Sequence, residues 1–196
     1  MNLPNPIAPR SRRAVVALLA VALAALACQD PYKITANSPN LDAGFELWAM
    51  TGSPAAYPSG LLVPQASVVR LDASGSFDLA FDIDADGRLK VFPVSSVVSP
   101  LAGSRSIGFQ RITGAYNSAI EAPKLGYTND TLFVVNEGQA FLVKVTTQFC
   151  QYELHPEIYA KFYVDSVIPA ERRIKLSARV NPNCGFRSLL SGVPEF

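Results

Sequence analysis

Along most of this chain apolar side chains recur at every second position. Phe45, Leu47 and Ala49 alternate with Glu46, Trp48 and Met50. Phe77, Leu79, Phe81 and Ile83 alternate with Asp78, Ala80, Asp82 and Asp84, the pattern of a strand with one buried and one solvated face. After Ala85-Asp86-Gly87 the chain resumes from Arg88 to Val94, so residues 76–94 predict a hairpin around an Asp-Gly turn. Further strands are expected at Ser67–Leu71, Ser106–Ile112, Thr131–Asn136, Ala140–Gln148, Tyr159–Ile168 and Arg173–Val180. Asn136-Glu137-Gly138 is expected to turn one pair, and Pro169-Ala170-Glu171 another. In the last hairpin Ile174, Leu176, Ala178 and Val180 face one way, and Arg173, Lys175, Ser177 and Arg179 the other. No segment after residue 28 carries a helical stripe of useful length. Short strands at regular spacing with Gly, Pro and Asn turns predict an all-β fold, a single antiparallel β-sandwich (Ig-like or related) of about eight or nine strands. Phe77, Phe81, Ile83, Phe133, Val135, Phe141, Val143, Phe162 and Leu176 are the expected core.

Residues 14–27 break this rhythm. They read AVVALLAVALAALA, with Arg10, Arg12 and Arg13 ahead and no acid before Asp30. A helix of that length spans roughly 21 Å, short of the roughly 30 Å hydrocarbon core. A basic start, an apolar run and small residues at its exit describe a secretory signal peptide over residues 1–27. The run ends Ala25-Leu26-Ala27-Cys28, which resembles the lipobox of bacterial lipoprotein precursors, although Ala25 stands where Leu is commoner. That resemblance, confined to residues 1–28, implies cleavage before Cys28 and acylation of its thiol, so that the chain's partner is a lipid bilayer. Each buried methylene contributes about 0.8 kcal/mol, and two acyl chains anchor stably. Gln29, rather than Asp, after the Cys implies sorting to the outer membrane, facing the periplasm or the surface. After Cys28, residues 29–42, QDPYKITANSPNLD, are polar and read as a tether of up to roughly 45 Å, so that residues 28–42 are lipidated Cys and tether and residues 43–196 the domain.

The whole chain of 196 residues has 17 basic and 16 acidic side chains. Without Arg10, Arg12 and Arg13 the mature balance is 14 against 16, a net −2. A weakly acidic surface gives no counterion-release drive toward nucleic acid, so nucleic acid is excluded as a partner and membrane attachment rests on lipid. With Cys28 acylated, Cys150 and Cys184 remain in an exported chain, and oxidation is expected to join them. No C-x-x-C spacing or His pair favours zinc instead.

Catalytic signals are sparse. There is no G-x-S-x-G elbow, S-x-x-K pair, H-E-x-x-H helix or phosphate-binding Gly loop. The single His, His155, lies among acids in the Pro-containing turn Glu153-Leu154-His155-Pro156-Glu157. Asp82-Ile83-Asp84-Ala85-Asp86-Gly87 resembles the opening D-x-D-x-D-G of calcium loops, which makes Asp82, Asp84 and Asp86 a candidate calcium set. The twelfth position is Pro93 rather than Glu and strands flank the run, so the stronger expectation is a hairpin with these carboxylates on one solvated face and no cofactor. Tyr152, Tyr159, Phe162 and Tyr163 could stack on sugar rings or a protein partner, yet their spacing favours core and cross-strand packing. Residues 95–130 are the least regular, and with Pro54–Pro64 they are where recognition is expected.

The resulting expectation is a membrane-anchored envelope lipoprotein acting as a non-enzymatic binding or structural module, with an unknown envelope protein or glycan as partner. The alternatives are a secreted hydrolase of cell-wall or extracellular glycans using two carboxylates, and a calcium-stabilised adhesion module.

Overall fold

The computed structural model describes residues 35–73, 76–98, 105–147, 150 and 155–194. The expected signal peptide, Cys28 and Tyr152 lie outside them. Alternation does become strands, eleven of them among the described residues: β1 (Leu41–Trp48), β2 (Gly60–Leu62), β3 (Ser67–Val69), β4 (Leu79–Ile83), β5 (Leu89–Pro93), β6 (Ser106–Arg111), β7 (Thr128–Asn129), β8 (Phe133–Val135), β9 (Ala140–Thr146), β10 (Glu157–Ile168) and β11 (Arg173–Asn181). Nine correspond to expected strands. The additions, β2 and β7, are three and two residues long and exist only because a longer neighbour pairs with them.

All pairings are antiparallel, in a six-stranded sheet ordered β1-β11-β10-β9-β6-β7 and a five-stranded sheet ordered β3-β2-β4-β5-β8. The fold is an all-β sandwich. Its core lies between the sheets, where Phe81, Val91 and Val135 from one meet Leu47, Phe141, Phe162 and Leu176 from the other. Phe141 and Phe162 stack with centroids 5.3 Å apart. Every expected core residue is buried except Phe133, which packs on the core while half-buried.

The turns behave locally as their residues dictate. Asp84 N donates to Arg88 O, Gly87 N donates to Asp84 O, and Gly87 takes φ +77°, so the β4–β5 hairpin closes through a type I turn and a left-handed Gly. Pro169–Glu171 forms a 3₁₀ turn between β10 and β11, closed by Arg172 at φ +53°. Asn136-Glu137-Gly138 corrects the sequence reading. It joins no hairpin, because β8 pairs with β5 in one sheet and β9 pairs with β10 and β6 in the other, so the turn carries the chain across the sandwich.

The ordered domain also reaches back into the stretch expected as tether. Asn37 N and Ser38 N both donate to Asn183 Oδ1, and Asn183 Nδ2 donates to Ser38 O. Asn40 is buried, with Nδ2 donating to Ser188 O and Leu190 O and its own N–H to Gly192 O. The segment before β1 is therefore fastened to the segment after β11. Nearby, Cys150 and Cys184 form the expected disulfide, with Cα atoms 5.7 Å apart.

A second correction concerns the polar face of β4. All five of its residues are buried, Ala80 and Asp82 included, although the alternation assigns these two to the solvent side. Asp78, just before the strand, is also fully buried. Its carboxylate accepts Val63 N at 2.7 Å and Arg105 Nη1 at 2.7 Å. Burial raises its pKa, outweighing the opposing Arg105 charge. Asp82 is buried against Arg172 Nη2 at 2.6 Å and Thr51 Oγ1 at 2.8–2.9 Å.

Candidate functional site

The outer face of the six-stranded sheet carries a groove. Register fixes its floor: Gly44 on β1 lies opposite Ser177 on β11, Ser177 opposite Tyr163 on β10, and Tyr163 opposite Ala140 on β9. Successive residues of a strand point to opposite faces, and Phe45, Ala178, Phe162 and Phe141 beside them are buried inside. Three of the four floor positions are small, so a channel crosses four strands at right angles, over ~14 Å at ~4.8 Å per strand. A Cβ added to Gly44 would meet nothing within 4 Å.

Tyr116 stands over this floor and divides it into clefts of about 500 and 360 Å³, both bordered by Tyr116 and Ser177. Its ring centroid is 6.0 Å from that of Tyr163. Gly138 and Asn117 border the larger cleft, and Asp165 supplies a carboxylate that accepts Ser177 Oγ at 2.8 Å. Asp165 shares the face of Tyr163, two residues before it, and lies where the β10–β11 register shifts between Val164 and Ser166.

Tyr116 is held by Lys161. This side chain is 2% exposed and has no carboxylate within salt-bridge distance among the described residues. Its ammonium donates to Ala119 O at 2.9 Å and Tyr116 O at 3.3 Å and lies 4.6 Å from the Tyr116 ring centroid. The same cation thus fixes the 3₁₀ turn Tyr116–Ser118 and one face of the ring. Desolvation lowers the Lys161 pKa, the Arg179 charge adds to this, and Asp42 opposes it. Burial pushes the Tyr116 phenol up to about 12, so it stays a neutral donor and acceptor. Beside Lys161, Arg179 Nε and Nη2 donate to Asp42 at 2.6 and 2.9 Å. On the far side of the 112–120 loop, Tyr159, Leu142, Ala122 and Leu189 make a small second core on the same sheet face.

The structure places the sequence candidates as follows. Residues 114–117, within the irregular 95–130 stretch, wall the groove. The 54–64 stretch instead contains β2 and brings Tyr57 against Trp48, centroids 4.8 Å apart. Asp82, Asp84 and Asp86 do not converge as calcium ligands, nor do they share a solvated face. Asp82 pairs with Arg172, whereas Asp84 and Asp86 both pair with Arg88, Asp84 also accepting the turn N–H groups of Asp86 and Arg88. Among the described residues no group of three or more His, Cys, Asp or Glu side chains is placed to hold a metal ion. His155 is exposed and lines a separate cleft of about 320 Å³ with Lys124, Glu157 and Arg187, where no serine, threonine or cysteine among the described residues borders it. Of the aromatic cluster, Phe162 is core and Tyr159 belongs to the small outer core, but Tyr163 is half-buried in the groove. Sequence reasoning missed Lys161 altogether, and the only signal for it was a basic residue in phase with outward-facing Tyr159 and Tyr163.

Compared with known proteins, the chain matches no family profile, no curated protein and no solved structure.

Proposed function

We propose that this chain is an exported β-sandwich, acylated at Cys28 and held at the bacterial outer membrane, which acts as a non-enzymatic binding module of the cell envelope. The observation that carries the binding reading is the walled groove on the outer sheet face. It combines two tyrosines, a carboxylate and an amide over a floor of small residues, beside the Asp42–Arg179 ion pair and the capped Lys161 ammonium. The anchor reading rests on the basic start, the apolar run and Ala25-Leu26-Ala27-Cys28. Cells fed labelled palmitate test it. Label is expected in the wild-type protein of the membrane fraction, and Cys28→Ser is expected to lose both the label and membrane retention. An unlabelled wild-type protein, or equal labelling of Cys28→Ser, refutes the anchor.

A further inference from the structure

Resting on the binding-module reading, we propose that the groove across Gly44, Ser177, Tyr163 and Ala140 binds a short neutral oligosaccharide, with the rings of Tyr163 and Tyr116 against its C–H faces and Asp165 and Asn117 on its hydroxyls.

Three features select this class. The floor lies across the face of the sheet rather than along the free outer side of β1, so an extended peptide seated on it cannot add as another strand. Recognition falls to side chains, which suits a ligand that offers hydroxyls rather than a backbone. The charges along the groove also cancel. Asp42 neutralises Arg179, and exposed Asp165 and buried Lys161 add one charge of each sign on the same sheet face. There is neither a cation surplus for a phosphate or polyanion nor an acid surplus for a polycation. Finally, the polar groups differ in kind. The Asp165 carboxylate keeps lone pairs beyond the one engaged by Ser177, the exposed Asn117 amide both donates and accepts, and the Tyr116 hydroxyl remains protonated. Acceptors and donors beside an aromatic wall match a pyranose, which has an apolar face and a polar rim. The Lys161 clamp holds Tyr116 in place before any ligand arrives, which reduces the ordering cost of binding.

The test is calorimetric titration of the full-length chain with cellotetraose, chitotetraose, maltotetraose and xylotetraose at millimolar concentrations, with a pool of neutral decapeptides as a separate arm. Binding of at least one tetrasaccharide is expected, weakened about ten-fold in Asp165→Ala and in Tyr163→Ala. Because Tyr163→Ala perturbs a half-buried ring, Gly44→Trp provides the control. It adds bulk into open space at the groove floor, so it is expected to keep the wild-type melting temperature and lose binding. Failure of all four sugars overturns the saccharide assignment, and so does sugar binding that Gly44→Trp and Asp165→Ala leave unchanged. If the peptide arm binds instead and Gly44→Trp abolishes that binding, the saccharide fails while the binding module stands. If neither arm binds, both readings fail, whatever palmitate labelling shows.

Discussion

Arg172→Met tests how the two sheets are locked together. Arg172 closes the β10–β11 turn of one sheet, yet its guanidinium reaches β4 of the other: Nη2 bonds Asp82 at 2.6 Å, Nη1 bonds Ile83 O at 3.1 Å, and Nε bonds Thr51 O at 2.9 Å. Met keeps much of the side chain's apolar length and removes the charge, leaving a carboxylate that is 8% exposed without a cation. Breaking a buried pair in this way costs about 3–5 kcal/mol. The Arg172 side chain is 25% exposed, so water screens the pair somewhat and the low end applies, about 3 kcal/mol. At roughly 2–4 °C per kcal/mol for a domain this size, the melting temperature is expected to fall by about 6–12 °C. Urea unfolding followed through Trp48, the single tryptophan, reads the same loss as a lower midpoint at unchanged slope. Adding Asp82→Asn removes the stranded charge and is expected to restore about half of the deficit. A loss below about 1 kcal/mol for Arg172→Met, or a double variant as unstable as the sum of the singles, refutes the reasoning.

Three further outcomes follow from the same structure. Reducing Cys150–Cys184, which closes a loop 34 residues apart, is expected to cost roughly 3.8 kcal/mol, read as a lower unfolding midpoint under reductant. Lys161 sets a pH dependence: its folded pKa lies below the unfolded 10.5, so between those two values the unfolded chain holds more protons and stability rises with pH. Wild-type stability measured against Lys161→Met is therefore expected to increase as pH climbs through that window, and a flat or falling difference contradicts the burial argument. Gly185→Ala places a methyl at φ +79° and 2.6 Å from His155 Cβ, so a loss of about 2 kcal/mol is expected by thermal melting.

The sandwich was legible because its long strands alternate and its turns carry Asp-Gly and Pro. β10 and β11 can be read to within two residues at either end, since the inner face of the hairpin is apolar throughout and Pro169 marks the turn. β2 and β7 were not, being too short for any period to register. β7 survives because Asp130 after it accepts Ile107 N and Ser106 Oγ from β6. The misread polar face of β4 has a different cause. Alternation reports which side of a strand is charged, and nothing local tells that Arg105 and Arg172 arrive from 27 and 90 residues away. The groove was illegible for the same reason. Gly44, Ser177, Tyr163 and Ala140 become neighbours only through register across four strands, and Tyr163 in isolation looks like any strand aromatic.

The fastening of residues 37–40 to the segment after β11 has a mechanical meaning. β1 is an edge strand, and a tug on its leading end would open its ladder one pair at a time, beginning at Leu41 and Val180. Asn183 and Asn40 put their bonds ahead of that first pair, so load must break the clamp before the zipper starts. Part of that load runs from Asn183 to its neighbour Cys184, and from there through a covalent bridge to Cys150, bypassing the edge of the sheet. A domain dragged by its N-terminus is thereby gripped at several strands at once.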